Sequence, residues 1–208
     1  LGLLIKYMSS IAGLELKMSK IFGNRKTWKP ISNKSLALGY TWKKGVEKML
    51  GNFGISVIGI IYMLMLEVPN LMWVKRKPEG YDPTGENKVL LVIERVGMVM
   101  CTASILIFTD YLPRGADSRI GWFIASLAFM LVYEGYWIRY FRSPRGLWDF
   151  YRPFLGVPVP GATLPVIAFL LLGIDGQVGI LVVSAIILGI GHIGIHLGHI
   201  RKRGKNNP

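Results

Sequence analysis

The chain has little cysteine, little histidine and few acidic side chains, and it lacks the loops that usually hold a phosphate or a dinucleotide. A single cysteine, Cys101, stands in 208 residues, so no intrachain disulfide can form and cysteine usage says nothing of the redox compartment. Its place inside an apolar run points to packing rather than reactivity. There is no Walker-type glycine loop, no dinucleotide fingerprint and no HExxH pair, and no serine in a nucleophile-elbow context. The common phosphate-binding, zinc-protease and serine-hydrolase chemistries therefore have no motif to stand on.

Acidic residues number 12 against 25 Lys and Arg, a formal charge of +13. Such a surplus attracts phosphate and raises nucleic acid as a partner. Position argues against it: ten of the cations fall in residues 1–48 and most others flank apolar segments, where anionic lipid and the positive-inside effect account for them. With 51% hydrophobic residues and a mean hydropathy of +0.41, a soluble domain is excluded as well. The apolar residues come in runs of about twenty, the length a helix needs to cross ~30 Å of hydrocarbon. We therefore expect an all-α integral membrane protein, a bundle of four to five transmembrane helices in contact with membrane lipid, with no nucleic-acid partner.

Residues 1–48 hold no spanning segment and no secretory cleavage site. Lys43 to Lys48 before Met49 can be encoded by a purine-rich ribosome-binding sequence. Residues 1–48 are thus expected to be a basic, non-spanning or mis-assigned extension, and 49–208 the transmembrane domain. The first span is expected at about Phe53 to Val74, the second at Val89 to Phe108, the third at Ile120 to Tyr140 and the last at Gln177 to Ile200. Between the last two, Pro153, Pro158, Pro160 and Pro165 break the fourth segment, since each removes a backbone donor. A helix beginning only at Ala162 or Thr163 would be too short to cross, making a half-helix or re-entrant element; the alternative is a kinked span from near Phe150. Either needs its freed backbone groups shielded from lipid. If all five segments cross, one side carries twelve Lys and Arg and the other two, residues 1–48 aside. That asymmetry predicts a multi-pass cell-membrane protein with a cytoplasmic C-terminus.

On this topology the polar residues gather in the cytoplasmic half. Glu67 and Asn70 end the first span, Glu94 and Arg95 sit early in the second, Glu134 and Arg139 close the third, and His192, His196 and His199 close the last. A charge near the bilayer centre costs roughly 2.5–3.5 kcal/mol, so groups at one depth should face one another or water. These nine residues are the candidate ligand-binding cluster, lining a polar pocket; the competing view makes them inter-helix ties and snorkelling residues. Adjacent Glu94 and Arg95 project about 100° apart, and Arg95 is expected to pair with Glu67 or Glu134. The histidines share one helical face. With Glu134 they could complete a zinc shell, but the outer two stand about 10 Å apart on one straight helix, so no metal is assigned and packing against facing carboxylates is expected. Gly189, Gly191, Gly194 and Gly198 between them should admit another backbone. A broken fourth helix near Ala162 could also offer free N–H groups to an anion.

Glu67-Val68-Pro69-Asn70 and Glu94-Arg95-Val96-Gly97 resemble segments of small uncharacterised polytopic membrane proteins of bacteria, a resemblance that implies a bacterial inner-membrane location and no activity. A weaker likeness, in size, span number and basic aromatic loop, is to integral-membrane isoprenylcysteine and phospholipid methyltransferases. Their His-Pro motif is replaced here by Arg142-Ser143-Pro144, so no cofactor is carried over. Three functions remain open: a transporter-like or accessory component binding a small anionic or amphiphilic ligand, which for so small a protomer implies a homo-oligomer; an enzyme acting on a lipid or isoprenoid head group, with Glu67, Glu94 or Glu134 as acid or base; and an oligomeric structural protein. No residue is assigned a catalytic role.

Overall fold

The computed structural model describes residues 51–111 and 120–206. The expectations for residues 1–48 and for the loop cations Arg114 and Arg119 lie outside the described residues. Among the described residues six helices follow in order: α1 (Val57–Val74), α2 (Lys88–Ile107), α3 (Ile120–Arg142), α4 (Leu147–Tyr151), α5 (Pro160–Asp175) and α6 (Gly179–Asn206). No strand occurs among the described residues, where bridge pairing is confined to Phe53 with Phe108 and Phe154 with Val157. Among the described residues four helices, α1, α2, α3 and α6, are long and apolar enough to cross a membrane, and α5 is a shorter apolar helix. The protein is an all-helical, multi-pass membrane protein.

Local chemistry sets the helix starts. Ser56 Oγ accepts from Gly59 N at 2.9 Å and opens α1, while Asn87 Oδ1 accepts from Val89 N and Leu90 N and opens α2; each satisfies N–H groups that a first turn leaves free. The fourth segment matches neither alternative in full: it is a 16-residue apolar helix whose C-cap Gly176 meets Asp110 and Tyr111, at the end where α2 also finishes. It begins at Pro160, two residues before Ala162, because proline at the first helical position loses no hydrogen bond that the helix could have made. It is not continuous from Phe150. Residues 152–159 separate α4 from α5, and Val159 sits in the left-handed region at φ 40°. At 16 residues, α5 spans ~24 Å at 1.5 Å per residue, short of the hydrocarbon thickness.

α5 is the central helix. It packs against both α3 and α6, α6 packs along α2, and α1 touches α2 and α3 more sparingly. Ala162, Leu164, Pro165, Ala168, Phe169 and Leu172 are all buried, so the protein itself supplies the shielding that a proline-containing helix needs in lipid. Ser126 Oγ on α3 donates to Ala168 O at 2.7 Å and meets Tyr62 Oη of α1 at 3.0 Å. Below this, the C-terminal half of α3 buries Tyr133, Tyr136, Trp137 and Tyr140, and Trp137 and Tyr140 pack on Phe150 of α4. Their hydroxyls bond backbone: Tyr136 donates to Phe150 O at 2.9 Å and Tyr140 to Arg76 O at 3.1 Å. Large apolar rings give this end area, and the two bonded tyrosine hydroxyls give it register.

Candidate functional site

The site begins with two glycines. A Cβ on Gly97 would stand 2.4 Å from Leu188 N, and one on Gly191 would stand 2.4 Å from Glu94 N; only hydrogen fits at either, so α2 and α6 meet backbone to backbone. Gly189, Gly191 and Gly194 even carry GxGxxG spacing, but in mid-helix they receive Val166, Glu94 and Leu90. This close approach sets Glu94 directly against α6 one residue before His192. Glu94 Oε1 lies 2.5 Å from His192 Nδ1, with both side chains largely covered. A carboxylate and an imidazole this close share one hydrogen bond, and a proton taken up by the pair leaves it with no net charge whichever group holds it, which removes the cost of a lone ion in an apolar layer.

His196 and His199 continue along the face. The His192 and His196 rings meet edge to face with centroids 4.8 Å apart, and His196 and His199 follow at 6.3 Å. His199 Nε2 lies 2.8 Å from Glu86 Oε1, and both side chains are nearly buried. His192 and His199 pack against carboxylates, which are Glu94 and Glu86, while His196 packs among rings. Glu134 takes no part, and its Oε1 is buried without a hydrogen-bond partner. Among the described residues no three His, Cys, Asp or Glu side chains converge as a metal site requires; the rise along α6 separates the imidazoles and each end pairs with a different acid.

Glu67 and Asn70 of α1, Glu94 of α2 and His192 of α6 line one cavity of about 100 Å³. Its remaining wall is mostly apolar, with Leu66, Met98, Pro165, Phe169 and Leu188, and Cys101 and Thr102 behind them. Gly161, at the start of α5, borders it too. Glu67 and Met98 on the rim are exposed on the bundle's outer surface. α1 and α2 are in tight contact at Gly59, whose added Cβ would overlap Ile105 O, and the cavity separates them further along.

Two predicted cations lie elsewhere. Arg95 is exposed and, among the described residues, makes no ion pair with Glu67 or Glu134; Glu94 takes the inward direction beside Gly191, which turns its neighbour outward. Arg139 donates to Pro153 O at 3.1 Å, Asp149 O at 3.0 Å and Arg152 O at 3.3 Å. Its guanidinium also lies over Tyr136 and Phe154. It is a tie that closes the segment between α4 and α5. Sequence reasoning missed Glu86, Tyr81 and Tyr151, which surround His199; the polar loop before α2 was visible, but nothing local says that it folds onto α6.

The loop side has its own electrostatics. Burial, then the nearby carboxylates Glu86 and Glu94, raises the Tyr81 phenol above its ordinary value; burial does the same for Tyr151. Hydrogen bonds from the Thr84 hydroxyl and backbone N–H hold Asp82 below the usual carboxylate value. Lys202 Nζ donates to Gly85 O at 2.7 Å, bringing one cation to this end. With Glu86, His199 and Gly198 it borders a second hollow of about 140 Å³.

Comparison with protein-family models, curated proteins and solved structures finds no match for the chain.

Proposed function

We propose that this protein is a transporter-like or accessory component of a bacterial inner membrane that binds an amphiphile in the cavity between α1, α2, α5 and α6. One observation carries the reading: Glu67, Asn70, Glu94 and His192, drawn from three helices, line a single cavity whose other walls are mostly apolar. A few polar groups in a largely apolar concavity is the composition of a small-molecule site. The rim residues Glu67 and Met98 are exposed on surfaces of α1 and α2 that also expose Leu64, Val68, Val92 and Val99, so an amphiphile can enter sideways from lipid. Two carboxylates line the wall with no Lys or Arg, and Glu67 stands apart from the Glu94–His192 pair, which favours a cationic or hydrogen-donating head group over an anionic one. The cytoplasmic side is the one carrying the Arg139 and Lys202 end, by the charge asymmetry of the loops.

The test compares an alkylamine with a fatty acid of equal chain length in thermal unfolding of the purified protein. The amine should raise the midpoint by mass action, about 2.7 kcal/mol at a hundredfold excess over Kd, and Glu94→Gln with Glu67→Gln should abolish the effect. Equal stabilisation by the acid, or no loss in the double variant, would reject the assignment. A second reading, an enzyme acting on a lipid or isoprenoid head group, draws on the Glu94–His192 pair at 2.5 Å, an acid and base already within proton-transfer reach.

A further inference from the structure

We propose that His192, His196 and His199 form a proton relay along α6, connecting Glu94 at the intramembrane cavity with Glu86 at the loop face. The inference stands whether or not the cavity holds a ligand. All three histidines of the chain are in this row. Each end is hydrogen-bonded to a carboxylate, His192 Nδ1 to Glu94 at 2.5 Å and His199 Nε2 to Glu86 at 2.8 Å, and the middle ring lies between them with centroids at 4.8 and 6.3 Å. The path covers about 10 Å of helix axis, roughly a third of the hydrocarbon thickness.

His196 makes no hydrogen bond among the described residues, and its neighbours are rings: His192, His199, Phe150 and Tyr151. A histidine held only for packing is a poor choice for such a setting, because an apolar ring fills the space with no polar N–H to accommodate. Both of its nitrogens are free to receive and pass a proton. A void of about 10 Å³ borders it, walled by Tyr136, Phe150, Tyr151, Val159, Gly161 and Ala162, near the size a single water needs. Ring rotation, or one water, closes the gap to hydrogen-bond reach.

The titratable and charged groups facing the row are few. Glu94 faces His192, with Glu67 across the cavity. Glu86 and Tyr81 face His199, with Lys202 and Asp82 nearby, and Tyr151 stands beside both His196 and His199. The step balances with no co-reactant. A proton from bulk water enters at the Glu86–His199 pair; on each ring an N–H bond forms at one nitrogen as the other nitrogen releases its proton; the last proton converts the Glu94 carboxylate to the acid. Each ring is left neutral in its other tautomer, and ring rotation resets it.

The test is a light-triggered pH drop on the full chain in nanodiscs, followed by time-resolved infrared absorption of the Glu94 carboxylic acid, with Glu94→Gln identifying the band. His196→Ala should slow its appearance at least tenfold, and added imidazole should restore the rate, which a packing role would not allow. His199→Gln, which keeps size and hydrogen bonding at the entrance, should slow it similarly and serves if His196→Ala fails to fold. An unchanged rate in either folded variant would overturn the relay, as would a slowing of His196→Ala that imidazole leaves in place. Amine binding to the cavity is measured separately by thermal shift, so the two proposals fail independently.

Discussion

Replacing Gly97 by alanine adds one methyl group where α2 has no room for it. The new Cβ would lie 2.4 Å from Leu188 N, 2.6 Å from Leu188 Cα and 3.0 Å from the Ile187 carbonyl carbon, all backbone atoms of α6 that cannot rotate away. Ordinary contact is about 3.5–4.0 Å, so the helices must part by roughly 1 Å along this seam. Overpacking of this kind costs typically 1–3 kcal/mol, and a clash with backbone belongs at the upper end. Alanine returns up to about 1 kcal/mol of helix propensity, leaving a net loss of about 2 kcal/mol. Gly198 is the internal control, since nothing lies within 4 Å of its added Cβ; Gly198→Ala should be neutral or slightly stabilising. Gly191→Ala meets Glu94 N at 2.4 Å and should resemble Gly97→Ala. Once the first substitution has opened the seam the second costs less, so the double variant should lose clearly less than the sum. Reversible unfolding of the four variants in mixed micelles, followed by circular dichroism, gives the comparison. Wild-type stability of Gly97→Ala, or strict additivity with Gly191→Ala, would refute direct backbone contact between α2 and α6.

Other consequences can be checked with similar material. Arg95→Gln should change stability by no more than about 0.5 kcal/mol, as exposed side chains without partners do; thermal unfolding showing a multi-kilocalorie loss would mean the guanidinium has a buried carboxylate after all. Arg139→Ala removes three bonds to carbonyls of 149–153 and should cost about 3 kcal/mol, since hydrogen bonds from charged donors contribute about 1.5–3 kcal/mol each and do not add fully; Arg139→Lys should recover only part in the same assay. The raised phenols of Tyr81 and Tyr151 stay protonated in the folded protein at a pH where the unfolded chain has released them. Stability contributed this way is intact below pH ~10 and falls as pH rises above it, so Tyr81→Phe with Tyr151→Phe should flatten the alkaline limb of a stability profile. A reporter fused to the C-terminus should be active on the cytoplasmic side, given twelve Lys and Arg on that side against two; activity confined to the outer face would invert the topology.

Hydropathy and breakers are properties of short stretches of chain, and what depends on them was legible in the sequence. The four long helices lie within a few residues of the expected limits: Ile120–Arg142 against a span ending at Tyr140, for example. The proline cluster announced a broken fourth segment, although its start at Pro160 required knowing that the first helical position was available to proline. The candidate site was legible only in part, because a helix pattern gives the depth of a polar group but not its direction. Glu94 and Arg95 are neighbours with the same neighbours, and which one faces inward was decided by Gly191 of α6, nearly a hundred residues on, admitting the α2 backbone beside it. His199 found its acid in Glu86, in a loop whose fold onto α6 no local pattern encodes. Arg139 was drawn from the cluster by carbonyls freed where α4 ends. Lipid solvation acts on each segment separately and so can be read one segment at a time, whereas the partner of a buried charge depends on the rotation and spacing of several helices at once, and those exist only in the packed bundle.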